Sequence, residues 1–343
     1  MVRWQKMAAA ALAIAALLIV VGAMPMAARA QGKPIDVIIA LPAPTLTFSA
    51  PFLAEDAGLY KKEGLNVSHR MLVGVEAVNA VIAGSADFTV STGPVFLRAN
   101  AKGQPLLAVA NLIDRPLVEM VLRTDVYDAL HVTDGMSLKE RGALLKGKTI
   151  AIQGVGSIIH AWERFVAARG GLDPENDVRI APMDPPAMLG ALQTKAVDGF
   201  ATSLPYTTQA VLNGSAKMFA SAPEGIAPDM IPFPYGIIMA RPQTCQQSPA
   251  KCRGVVHALA AANKMIHDEP DKALEILSQR FKTMDPAVLK AAWKTVAAAH
   301  ATDLRVNAKL LATGDKMNVE AKLLKPEDQL KSYDGLFTDK YLQ

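Results

Sequence analysis

Two stretches of this chain run through the same order of elements, and that duplication restricts the fold more than any single motif. Residues 34–93 read as strand "PIDVIIAL", turn "PAPTLTFSA", helix "PFLAEDAGLYKKEG", strand "LNVSHRMLV", helix "VEAVNAVIAGSA" and strand "DFTVSTG". Residues 148–205 read as strand "KTIAIQ", turn "GVGS", helix "IIHAWERFVAARGGLD", strand "NDVRIAPM", helix "PPAMLGALQTKAV" and strand "DGFATSLP". Asp87 and Asp198 open the last strand of each unit, 111 residues apart, and read as residues that cap or end the preceding helix. Each helix carries apolar residues at helical spacing, as at Val78, Val81 and Ile82 or Met188, Leu189 and Leu192.

Alternating strands and helices demand parallel strands joined by right-handed crossovers. The expected fold is therefore α/β with two lobes, each a mixed, mostly parallel sheet flanked by helices. Two further apolar runs flanked by Pro and Arg, "RPLVEMVLRTD" (115–125) and "FPYGIIMARPQ" (233–243), resemble each other and read as the strands that cross between lobes. Residues 31–120 plus 240–343, the latter mostly helix, would form the first lobe, and 121–239 the second. In open α/β sheets ligands sit at the carboxyl ends of the strands. Here those ends from both lobes would face one cleft, closed by a hinge.

The amino end sets the compartment. Arg3 and Lys6 precede an apolar run from Met7 to Met24, Pro25 breaks it, and Ala28-Arg29-Ala30 supplies a cleavage site before Gln31. This is the pattern of a cleaved secretory signal, residues 1–30, leading to the periplasm. Its removal takes away three cations and no acids, so the formal charge falls from +4 to +1. Nothing in the remainder then asks for nucleic acid or an anionic membrane surface. The two cysteines, Cys245 and Cys252, bracket "QQSPAK" and read as a local disulfide in an exported chain.

Lys148 to Ile152 followed by Gly154-Val155-Gly156-Ser157 has the form of a phosphate-binding turn. A dinucleotide site also needs a third small residue for close helix–strand packing, and that position holds Ile159. What remains is a strand, a tight turn and a helix start with free N–H groups, suited to an anionic or polar group. Enzymatic alternatives lack a constellation. The six histidines (His69, His131, His160, His257, His267 and His300) are scattered without metal-ligand spacing, and Ser157 does not sit in a nucleophile elbow. His160 has no acidic partner nearby in sequence and reads as a packed or solvent-facing residue. No catalytic residue, cofactor or metal is expected.

Four segments, "FLAEDAGLYKKEGLNV" (52–67), "VNAVIAGSADFTVSTG" (78–93), "LKGKTIAIQGVGS" (145–157) and "ALQTKAVDGFATSLP" (191–205), carry a resemblance by their order and spacing. The chain resembles the substrate-binding proteins of ABC importers, and is most similar to the nitrate/sulfonate/taurine-binding group, whose fold the thiamine-pyrimidine precursor proteins share. The cysteine-rich motif of the latter is absent. The resemblance implies a type II periplasmic binding protein fold, a monomeric receptor, and docking of both lobes on a membrane permease. A sulfonate or taurine-like anion is the first expectation for its ligand, a pyrimidine or aromatic carboxylate the alternative.

Four turns would border the cleft. In the first, Phe48 offers an apolar wall and Ser49 either a ligand hydroxyl or a helix cap. In the second, the resemblance implies that Ser91 and Thr92 line the ligand, whether or not they also cap the helix begun by Pro94. In the third, it implies that Gly154, Gly156 and Ser157 hold an anionic head group through uncovered N–H groups. In the fourth, Ser203 and Tyr206 occupy the matching place in the repeat. Arg115 and Tyr235 flank the crossings; Arg115 would either neutralise an anion or pair with Asp114 or Glu119.

Overall fold

In a computed structural model that describes residues 33–343, the apolar runs become two five-stranded sheets. The expected signal, residues 1–30, lies outside the described residues. The first sheet contains β1 (Ile35–Leu41), β2 (Leu65–Met71), β3 (Phe88–Ser91), β4 (Leu107–Asn111) and β10 (Ile237–Ala240), in the order β2-β1-β3-β10-β4. The second contains β5 (Glu119–Arg123), β6 (Thr149–Ile152), β7 (Arg179–Pro182), β8 (Gly199–Thr202) and β9 (Ala216–Ser221), in the order β7-β6-β8-β5-β9. β1 pairs in parallel with β2 and β3, as β6 does with β7 and β8. One antiparallel strand enters each sheet, β10 in the first and β5 in the second.

The repeat is in register at the level of single bonds. The Asp87 carboxylate accepts the Ile38 N–H at 2.8 Å, and the Asp198 carboxylate accepts the Thr149 N–H at 2.8 Å. Ile39 faces Phe88 across the first sheet as Ile150 faces Gly199 across the second. The two aspartates therefore do not cap helices. Each fastens the start of the central strand, β3 or β8, to its neighbour β1 or β6, satisfying a backbone donor just before the ladder begins.

The helices follow from the same pattern. α1 (Ser49–Asp56), α2 (Glu76–Ala83) and α3 (Gly93–Ala101) flank the first sheet; α4 (Ile158–Arg169), α5 (Pro185–Gln193) and α6 (Tyr206–Leu212) flank the second. Trp162 and Phe165 of α4 are fully buried and stacked, with ring centroids 5.5 Å apart. After β10 the chain is helical, through α7 (Pro249–Asp268), α8 (Pro286–Ala299) and α9 (Ala308–Glu320). α7 packs on α1. α9 lies against both α3 and α4 and so belongs to neither lobe alone, tied to α4 by Arg164 Nε on the Ala321 carbonyl at 2.7 Å. Cys245 and Cys252 are disulfide-bonded with Cα atoms 5.4 Å apart, joining the short helix before α7 to its first turn. No helix of the described residues is long and apolar enough to cross a membrane.

The crossings differ from the sequence expectation. β5 lies wholly in the second sheet and β10 wholly in the first, so boundaries at 120/121 and 239/240 fall inside strands. The chain passes between sheets in residues 112–118 and 222–236, and these two segments bond to each other. Leu112 N–H donates to the Gly236 carbonyl at 2.8 Å, Gly236 N–H to the Ile113 carbonyl at 3.2 Å, and Phe233 N–H to the Asp114 carbonyl at 2.7 Å. Glycine is needed at 236, because a Cβ there would lie 2.9 Å from the Ile113 nitrogen.

Two substitutions test this pairing. Gly236→Val forces the crossing segments apart and is expected to cost about 2–3 kcal/mol, seen as a lowered urea midpoint. Gly190→Ala, in α5 where a Cβ meets nothing within 4 Å, is expected to stabilise by up to about 1 kcal/mol. Equal effects of the two would mean that the crossings do not pack closely in solution.

Candidate functional site

Because each parallel strand is followed by a helix, the starts of α3 and α4 arrive at the same gap between the sheets. A cavity of about 40 Å³ lies there. The first lobe contributes Thr45, Thr47 and Phe48 after β1, and Ser91, Thr92 and Val95 at the start of α3. Gln153, Ser157, Ile158, Ile159 and Ser203 come from the second sheet's turns, and Tyr235 from the second crossing. The lobes are closed on one another: Leu46 N–H donates to the Leu204 carbonyl at 3.2 Å.

The polar groups of this cavity are mostly unused. Thr45, Thr47 and Thr92 each bury a hydroxyl that has no partner among the described residues. An unmade buried hydrogen bond costs about 1–3 kcal/mol, so three together are a substantial strain on an empty closed cleft. The first-turn N–H groups of Val95, Ile158 and Ile159 also take no intramolecular partner. Gln153 Oε1 accepts from Thr202 Oγ1 at 3.3 Å, which leaves its NH2 as the free end. Tyr235 OH and Ser203 Oγ share a hydrogen bond of 3.0 Å, and burial pushes the Tyr235 phenol well above its usual pKa, so it stays protonated. Among the described residues no acidic or basic side chain lines the cavity.

Of the residues anticipated from sequence, Phe48, Ser91, Thr92, Ser157, Ser203 and Tyr235 come together on its wall. Ser49, Arg115, Gly154, Gly156 and Tyr206 do not. Ser49 Oγ turns back to donate to the Leu46 carbonyl. Arg115 is exposed, and Glu119 instead accepts from Ser221 Oγ at 2.9 Å and from Thr207. Tyr206 is buried at the start of α6.

The glycine turn works differently from the expectation. Gly156 has φ +80°, its N–H donates to His160 Nδ1 at 3.0 Å, and its carbonyl accepts from Arg98. Ser157 N–H is directed at the Gly154 carbonyl at 3.3 Å. The amides of Gly156 and Ser157 are thus consumed internally, and on the cavity wall the free donors lie one step later, at Ile158 and Ile159. Burial, with Arg164 and Arg98 nearby, lowers the His160 pKa to about 4, so its ring is neutral and Nδ1 can accept. Sequence reasoning missed Thr45, Gln153 and Arg98; a glutamine ending the otherwise apolar strand "KTIAIQ" was the one visible signal.

Glu163, one turn beyond Ile159, is buried with both carboxylate oxygens unpartnered, and burial raises its pKa to about 7. The unfolded chain ionises this group near 4.5, so from there to about 7 the folded state holds the extra proton and stability falls as pH rises. Glu163→Gln should therefore leave the melting midpoint unchanged at pH 4 and raise it by several degrees at pH 8. A constant difference across that range would place the carboxylate in contact with water.

Comparison with known proteins agrees with this architecture. A protein of Bordetella bronchiseptica RB50 superposes with a TM-score of 0.76 at 22% identity, over 90% of this chain and 96% of that one. The alkanesulfonate-binding protein of Xanthomonas axonopodis pv. citri, bound to MOPS, gives 0.68 at 20% identity over 87% and 97%. The periplasmic nitrate-binding protein of Synechocystis PCC 6803 gives 0.65 at 14% over 90% and 88%. Among curated proteins none matches the sequence. The fold is that of the periplasmic binding proteins, two α/β lobes around a cleft. The model of the NMT1-like family matches residues 33–279, most of the chain, and this protein belongs to that family.

Proposed function

We propose that this protein is the periplasmic solute receptor of an ABC importer, a monomer that closes on a small organic monoanion and presents both lobes to a membrane permease. The observation that carries this reading is the set of three buried, unpartnered threonine hydroxyls facing two helix starts across one closed cavity. Threonine hydroxyls can all donate to one group, and with the helix-start N–H groups they suit a group that only accepts, such as a sulfonate or carboxylate. The positive ends of α3 and α4 favour its charge without a lysine or arginine on the wall. The likeness to alkanesulfonate-binding and nitrate-binding proteins points to the same ligand chemistry.

The lining also narrows the class. Pro42, Ala43, Phe48, Val95, Ile158 and Ile159 offer an apolar surface, which suits a short alkyl or compact aromatic body. Among the described residues no aspartate or glutamate stands on the wall to receive an ammonium group, so a zwitterion such as taurine fits less well than an unaminated alkanesulfonate. Receptor rather than enzyme is favoured because the wall presents serine and threonine hydroxyls with no histidine or carboxylate to activate them.

A binding series tests the reading. Ethanesulfonate is expected to raise the melting midpoint by mass action, with taurine at least tenfold weaker by calorimetry. Thr92→Val, which keeps shape and removes the hydroxyl, should weaken ethanesulfonate binding about tenfold, roughly 1.4 kcal/mol, with little change in stability. Tight taurine binding, or a Thr92→Val protein with wild-type affinity, would move the site or change its ligand.

A further inference from the structure

Arg98, in the last turn of α3, is a buried cation without an acid. Its residue is 8% exposed, and its guanidinium donates to the Asn318 side chain and to the Gly156 carbonyl. Both partners are neutral. Asn318 is itself held to α3, donating through Nδ2 to the Pro94 carbonyl at 3.0 Å, so that bond stays on one side of the cleft. The bond to Gly156 crosses it. Burial alone lowers the Arg98 pKa to about 10, which still leaves it charged at neutral pH.

Among the described residues no acid bonds to Arg98; Asp315, one turn before Asn318 on α9, is buried and accepts from Tyr333 instead. Val95, Arg98 and Gly156 border a groove next to the cavity, whose other polar residues are Asn79, Lys102 and Gln104. Lys102 is a second cation, the helix start of α4 is a positive dipole end, and among the described residues no carboxylate borders the groove. His160, bonded to the same Gly156, is held neutral in part by Arg98. Closing the empty cleft thus strips water from a guanidinium and returns one carbonyl, a poor exchange for a charge. An anion in the cavity, whose wall includes Val95 one turn before Arg98 and Ser157 just after Gly156, restores the balance.

We propose that Arg98 is the specificity-determining latch of this receptor: it fastens the Gly156 turn across the cleft and makes closure depend on a negative charge in the cavity. The inference rests on the reading of the cavity as an anion site. It assigns the choice between charged and uncharged ligands to a residue that does not touch the ligand, and so is a positioning residue.

The test uses the mature full chain with ethanesulfonate and its uncharged isostere ethanesulfonamide, read by calorimetry and small-angle X-ray scattering. Wild type should prefer the sulfonate by at least a hundredfold and become compact only with it. Arg98→Met should lose at least tenfold of that preference through weaker sulfonate binding, while sulfonamide affinity stays within twofold; Arg98→Lys, keeping the charge, should retain it. Lys102→Glu places an acid one turn from Arg98 at an exposed position and needs no change in the core. It should make the unliganded protein more compact and lower the preference likewise, which keeps the test alive if Arg98→Met does not fold. An unchanged preference in either variant overturns the latch. Should wild type bind neither probe, the anion-receptor reading fails, and unliganded scattering decides the latch alone: a more compact Lys102→Glu protein supports it, an identical one overturns it.

Discussion

Parallel strands leave a chain no choice about where its next helix begins. Every β–α step in this molecule delivers the amino end of a helix to the carboxyl edge of a sheet, and the duplication makes two such edges face each other. Unsatisfied N–H groups and positive dipole ends converge there as a consequence of connectivity, before any side chain is chosen. Side chains then decide what the gap can hold. Threonines at 45, 47 and 92 add donors, Ile158 and Ile159 add apolar wall, and charged groups are kept off it.

Such a gap is in tension with itself. Three orphaned hydroxyls and an unpaired guanidinium are tolerable when the cleft is open to water and unfavourable when it closes empty. The Leu46–Leu204 bond and the bridging position of α9 favour closure, while the desolvated donors oppose it. Two opposed terms of a few kcal/mol are what a ligand-gated hinge requires, since a ligand can shift an equilibrium only by its differential affinity for the two states. The pairing of residues 112–114 with 233–236 joins the two crossing segments in a two-stranded ribbon.

The architecture was legible because it depends on short-range patterning. Alternation, amphipathic spacing and a constant offset of 111 residues are local or periodic, and they survive in the bonds of Asp87 and Asp198. The role of those aspartates was not legible: a carboxylate ahead of a strand looks like a cap until the strand 49 residues earlier is placed beside it. The same holds for Arg98, whose partners lie 58 and 220 residues away. Half of the anticipated site residues line the cavity because turns after strands must face it. Those that do not, such as Ser49 and Gly156, make hydrogen bonds that serve the turn itself.

The glycine-rich turn shows why a motif's glycines and its function can separate. In a dinucleotide site small residues clear a path for the backbone to touch a pyrophosphate, and the third keeps the helix close to the strand. Here Gly156 is required by its positive φ, which aims its N–H at His160 and its carbonyl at Arg98. Ile159, where the third small residue would stand, is buried on the cavity wall and offers both an apolar surface and a free N–H. The cavity it helps to wall is small, about 40 Å³. The residue that breaks the nucleotide fingerprint is thus one that walls this cavity.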